Sequence, residues 1–329
     1  GFTPLRVIDG VANWGSWADK YPFNENVPLG VKNGVEQYEL NPNDFTKKKE
    51  INKLNRTLQS HASRANPLLI ATDYTIEAIE DIHSLCALPR EESLQALNNR
   101  VYTKQFAEVI AQEFSEMGIN SYLYPRLTIH KSDQLRHEAP AIVNFIHDIV
   151  QGLRQREVIS FVEGFPLEKD MEPHISFNQR KSIVFPFHEL IKRGIDVLLV
   201  SETSSFVNQK IIRESLHFNH VIAYRVKDSF LSIHEVVEDI LQALNSGVDL
   251  IILPFTFEEQ VDIFNHVFEK IKKGEVSEAA IDRSAKRLLT LKDAYKLHKL
   301  DQNKRPLTKH QRFSVKEKIV DQQTLLNSR

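Results

Sequence analysis

Four charged residues stand at the ends of short apolar runs: Asp73 in LLIATD (68–73), Glu163 in VISFVEG (158–164), Glu202 just after DVLLVS (196–201), and Arg225 in HVIAYRV (220–226). Carboxylates held near one another can divide the work of acid, base and nucleophile, because different environments push their proton affinities apart. An arginine cannot share that work. It stays protonated near neutral pH and offers only donors, although its planar fork suits a carboxylate.

These side chains can act together only if the chain brings the ends of the runs to one place. Two further runs, INSYLYP (119–125) and DLIILP (249–254), bring the set to six. Each is too short for a helix and almost continuously apolar, which is how strands buried on both faces of a parallel sheet read. Helical periodicity fills the intervals. Residues 103–118 place Phe106, Val109, Ile110 and Phe114 on one face and stop at Met117-Gly118. Residues 137–153 repeat the pattern with Ile142, Phe145, Ile146 and Ile149, residues 231–246 end in Ser246-Gly247, and residues 277–296 open on Ser277, a good N-cap. Strict alternation of strand and helix implies parallel pairing with right-handed crossovers. Six strands fit an open doubly wound sheet, or an eight-stranded barrel whose first two strands are irregular. For those two, LRVI (5–8) and VEQYEL (35–40) are the available segments. In a barrel the chemistry belongs at the C-terminal ends of the strands, where Asp73, Glu163, Glu202 and Arg225 fall.

Composition sets the outer limits. With 329 residues, 41% of them hydrophobic, the chain can bury a full-sized core. A formal net charge of -2 gives no electrostatic footprint for nucleic acid. The one cysteine, Cys86, rules out an internal disulfide. No apolar run approaches the roughly 20 residues of a membrane helix. The chain opens on Gly1 with no signal-like segment after it, which fits a processed N-terminus. Residues 298–329 are polar and rich in Lys, Arg and Gln; they read as a tail or linker beyond a domain spanning 1–297, and a further domain could follow.

Five segments in chain order carry a more specific likeness. They are NPLLIATDY (66–74), FAEVIAQEFSEMGINSYLYP (106–125), IVFPFHELIKRGIDVLLVS (183–201), ALNSGVDLIILP (243–254) and KKGEVSEAAIDRSAKRLLTLKDAYKL (272–297). Together they resemble the N-terminal barrel of family 3 glycoside hydrolases over roughly residues 45 to 297, and they favour its β-N-acetylglucosaminidase branch. The resemblance implies a TIM-like (β/α)8 barrel, a carbohydrate or peptidoglycan fragment as ligand, no cofactor and no metal. It leans towards an exported or cell-envelope protein of a bacterium, while the cysteine count fits the cytoplasm equally well.

The resemblance also assigns roles, and several of its positions depart from the family pattern. Asp73 matches the sugar-binding aspartate after the third strand, although a helix cap explains it as well. Pro125 is followed by Arg126 where an aspartate is expected nearby. The fifth strand ends Glu163-Gly164-Phe165-Pro166, which keeps only Phe and Pro of the family's motif and puts Glu163 in place of its lysine. Glu172-Pro173-His174 fits the general-acid dyad of a mobile loop, and an ordinary surface histidine also fits His174. LHFNHVIAYR (216–225) matches the nucleophile segment and puts Arg225 on the aspartate. Asp228 lies three residues further on. Glu202 reads as a residue behind the first layer of contacts, and Trp14 and Trp17 lie outside the matched region.

Four expectations follow. The six strands are parallel neighbours in chain order. The loop at 167–176 does not aim His174 at a sugar. Glu163 and Arg225, a reversal of both family charges, pair across the barrel mouth. The chain is a pseudo-hydrolase that binds carbohydrate or scaffolds, the alternative being an active β-N-acetylglucosaminidase or β-glucosidase with relocated carboxylates.

Overall fold

The structure is a computed structural model that describes residues 6–8, 48–62, 66–72, 94–95, 97–127, 135–164, 177–200, 211–226 and 232–297. Seven strands form one sheet in the order β1 to β7. They are β1 (Arg6–Ile8), β2 (Leu69–Thr72), β3 (Ser121–Tyr122), β4 (Ile159–Glu163), β5 (Val197–Val200), β6 (Val221–Arg225) and β7 (Leu250–Ile252). From β2 to β7 every neighbouring pair is parallel, and the six curl into half of a TIM-like barrel, as the alternation of strands and helices requires.

The first strand departs from the parallel pattern. LRVI does supply a strand, but β1 runs antiparallel to β2, with Val7 opposite Ile70. Composition cannot give direction here: a run as short as Arg6-Val7-Ile8 fits a parallel and an antiparallel edge equally well. The second candidate, 35–40, lies outside the described residues.

Helices α1 (Lys48–His61), α2 (Arg100–Met117), α3 (Leu135–Gln155), α4 (Phe177–Lys192), α5 (Ile233–Asn245), α6 (Phe257–Lys272) and α7 (Glu278–Ala294) complete the described fold. Their ends follow local chemistry. Asn99 caps α2 by accepting from the amides of Val101 and Tyr102, and Gly118 closes it in the left-handed region at φ 77°. Thr256 and Glu259 form a reciprocal capping box on α6, and Ser277 caps α7 through the amide of Ala280.

Alternation along the strands sorts the core into two layers. Ile70, Tyr122, Val162, Leu198, Ile222 and Tyr224 face outward into one buried cluster with the apolar faces of α2, α3, α4, α5 and α6. Leu69, Ala71, Phe161, Leu199, Ala223 and Ile252 face inward. The inner cluster is completed by Ala285, Leu288 and Leu291 of α7, with Tyr295 and Leu297 just beyond it.

Polar contacts of α7 fix which end of the barrel it covers. Arg287 Nη1 donates to Asp249 Oδ1 (2.9 Å), Lys292 Nζ to Asn66 Oδ1 (2.6 Å), Tyr295 Oη to Asp196 Oδ2 (2.6 Å) and Lys296 Nζ to Glu157 Oε1 (2.9 Å). The four acceptors all lie just before strands β7, β2, β5 and β4. Helix α7 therefore spans the N-terminal floor of the barrel. The C-terminal ends of the strands form the other end, where barrels place their chemistry.

Candidate functional site

Glu163 is the last residue of β4. It is 4% exposed, and it shares its inward parity with Phe161. The segment after β3 is held alongside it. The amide of Glu163 donates to the carbonyl of Pro125 (2.9 Å), and the amide of Leu127 donates to the carbonyl of Glu163 (2.8 Å). The approach is close enough that only glycine fits next door. At Gly164, with φ 104°, an added Cβ would lie 2.2 Å from the Leu127 carbonyl oxygen.

This alignment sets Arg126 directly beside Glu163. Arg126 Nη2 donates to Oε1 at 2.9 Å and Nε to Oε2 at 3.3 Å, a two-pronged ion pair. The hydrogen bonds from Arg126 to Glu163 raise the affinity of that guanidinium for its proton further. The arginine side chain is 62% exposed and the glutamate's 6%, so Arg126 covers the carboxylate from the solvent side.

Arg225 ends β6. Val221 and Ala223 lie in the inner cluster while Ile222 and Tyr224 lie in the outer one, so Arg225 has inward parity. It sits in register with Ile252 of β7, another inward residue. Tyr224 anchors the strand end from outside by donating to Asp239 Oδ2 at 2.7 Å. The Arg225 Nε is buried and has no hydrogen-bond partner among the described residues.

The expected Glu163–Arg225 pair is therefore not formed; among the described residues Glu163 pairs with Arg126. Register supplies the reason. Glu163 is opposite Leu199, and Leu199 is opposite Ala223. Arg225 thus lies two strands away and two residues further towards the open end, whereas Arg126 is on the adjoining segment. Sequence reading noted Arg126 only as a departure from a pattern. The signal that would have found it is Gly164, whose lack of a side chain admits the neighbouring backbone.

Asp73, Glu172, His174 and Glu202 lie outside the described residues, as do Asp228 and the 167–176 loop whose orientation was anticipated. The described part of the site thus pairs one carboxylate with one guanidinium and has a second guanidinium at the end of β6. Among the described residues no three His, Cys, Asp or Glu side chains converge as metal ligands. No described helix is long and apolar enough to cross a membrane.

This architecture has known counterparts. A family 3 β-N-acetylglucosaminidase from Paenibacillus sp. str. FPU-7 superposes with a TM-score of 0.66 at 22% identity, over 83% of this chain and 60% of that one. A fungal multi-domain family 3 β-N-acetylglucosaminidase gives 0.67 at 20% identity, over 86% of this chain and 39% of that one. The β-glucoside phosphorylase BglX gives 0.63 at 17% identity, over 82% and 58%. This chain thus spans less than two thirds of the length of each, and the likeness is one of fold. A search of curated protein sequences finds no match. The sequence model of the glycosyl hydrolase family 3 N-terminal domain matches residues 29–291, well over half of the chain. The protein belongs to glycosyl hydrolase family 3, through the N-terminal domain of that family.

Proposed function

We propose that this family 3 domain is a pseudo-hydrolase that binds carbohydrate, or scaffolds on it, without cleaving it. The observation that carries the reading is Arg225 at the inward end of β6, the position to which the family resemblance assigns the nucleophilic aspartate. A guanidinium cannot form a glycosyl ester. It also repels the positive charge that develops on the sugar ring in the oxocarbenium-like transition state. The state of Glu163 supports the reading. Both of its oxygens accept from Arg126, so the carboxylate is already engaged and not free to serve as acid or base.

The ligand class follows from the relatives. Two of them are β-N-acetylglucosaminidases and one acts on β-glucosides, so an N-acetylglucosamine-containing glycan such as a peptidoglycan fragment is the leading candidate. A bacterial envelope setting fits that ligand. The competing reading, an active glycosidase with relocated carboxylates, draws on the buried inward carboxylate of Glu163 and on the acidic residues outside the described part.

The test is turnover of aryl β-N-acetylglucosaminide and aryl β-glucoside at high protein concentration. Release indistinguishable from buffer is expected, both for the native chain and for Arg225→Asp. Robust release that disappears in Glu163→Gln, Glu202→Gln or Asp228→Asn would show an active hydrolase and reject the proposal.

A further inference from the structure

We infer that the barrel mouth selects acidic saccharides, those bearing a carboxylate or phosphate group, and that Arg225 is the anchor for the oxyanion. This inference rests on the carbohydrate-binding reading above and names the chemical class that the site prefers. Four observations combine.

First, Arg225 is inward at the C-terminal end of its strand, and its Nε is buried without a partner. Buried donors of native folds nearly always have acceptors, so an orphaned one on a charged group marks a place built for an acceptor from outside. Second, Glu163, the described carboxylate at this end, is already engaged on both oxygens by Arg126. That ion pair closes on itself and leaves the charge of Arg225 unbalanced among the described residues. Third, Arg126 uses Nε and Nη2 on Glu163, and its side chain is 62% exposed, so the rest of its fork faces solvent at the same end of the barrel. Two guanidinium groups against one carboxylate give the described mouth a net positive charge. Fourth, α7 and the residues just after it cover the N-terminal floor through Arg287, Lys292, Tyr295 and Lys296, so among the described residues the approach to Arg225 is from the strands' C-terminal side.

The chemistry matches an oxyanion. A guanidinium presents parallel N–H donors to a carboxylate or a phosphate, and it holds them more tightly than it holds the neutral hydroxyls of a sugar. A neutral glycan would leave the buried Nε facing an acceptor of the weaker kind. An acidic one supplies charge and geometry together.

The experiment is calorimetric or NMR titration of the full chain at fixed ionic strength. The ligands are N-acetylglucosamine and glucose, their acidic counterparts glucuronate and glucose 6-phosphate, and inorganic phosphate. The acidic sugars are expected to bind about tenfold or more tightly than the neutral ones, the ratio a charge-assisted hydrogen bond supplies. A larger gain for glucuronate assigns a carboxylate ligand and a larger gain for glucose 6-phosphate a phosphate ligand; either supports the inference. Arg225→Gln is expected to remove the preference, while Lys273→Gln, which removes the same charge from the exposed end of α6, keeps it. Equal binding of acidic and neutral sugars overturns this inference alone and leaves the carbohydrate-binding reading standing. A preference that survives Arg225→Gln, or phosphate binding that gains nothing from an attached sugar, also overturns it. Binding of no sugar at all overturns both readings.

Discussion

Arg126 and Arg225 stand at the same end of the barrel, and their removal has opposite consequences. Arg126→Ala strands the carboxylate of Glu163, which is 4% exposed. Leaving a buried acceptor unpaired costs about 1–3 kcal/mol, so the denaturation midpoint falls measurably in urea. Arg225→Ala breaks no hydrogen bond at Nε and removes a charge that forms no ion pair among the described residues. Its stability should stay within about 0.5 kcal/mol of the native chain, or rise. If Arg225→Ala proved the more damaging of the two, Glu163 would have to be paired as the sequence suggested. The comparison shows what was legible at this scale. The positions of Glu163 and Arg225 at strand ends could be read because each closes an apolar run. Their partners could not. A pairing across strands depends on register, and the residue that wins Glu163 lies in Pro125-Arg126-Leu127, just past the end of β3, where no periodicity points to it.

Helix α7 and the contact between α2 and α3 are where whole elements depend on single side chains. Gly152 on α3 faces α2 so closely that an added Cβ would lie 2.5 Å from both Ala107 Cβ and the Lys104 carbonyl oxygen. Gly152→Ala must push two packed helices apart, and a loss of about 1–3 kcal/mol is expected in thermal or chemical melts. At the barrel floor, burial and the neighbouring charge of Asp196 raise the pKa of Tyr295 far above its ordinary value. The folded state thus keeps the phenol neutral, while in the unfolded chain it ionises near pH 10. Its contribution is fully present below about pH 10 and is lost as pH rises beyond that, because the unfolded state then gains by releasing the proton. Stability measured from pH 8 to 11 should fall more steeply for the native chain than for Tyr295→Phe; parallel curves would mean the phenol is not shielded. Four of the helices, α2, α3, α5 and α7, were readable from their periodicity, with Gly118 and Ser277 marking two of their ends, while α1, α4 and α6 were not read that way. The strand direction of Arg6–Ile8 and the inward packing of α7 were not, since an amphipathic face does not say which side of a sheet it will cover.

For the molecule as a whole, alternating strands and helices establish the half-barrel, α7 covers its N-terminal floor, and the charges at the other end carry the functional reading proposed above. The order and parallel pairing of six strands were legible because buried parallel strands are short, apolar and regularly spaced by helices. At the mouth, only the strand-end positions of Glu163 and Arg225 were legible, because each closes an apolar run. A retaining or inverting glycosidase needs two free carboxyl groups at a defined separation. The described mouth instead joins its carboxylate to one arginine and places a second at the end of β6, two strands away. The central claim is that this barrel binds glycan without cleaving it. It is tested most directly by following the anomeric protons of an N-acetylglucosamine disaccharide by NMR in the presence of stoichiometric protein. The expected result is line broadening that reports binding, with the disaccharide signal constant over days. Loss of that signal, with growth of monosaccharide resonances at a rate proportional to protein concentration, would contradict the claim.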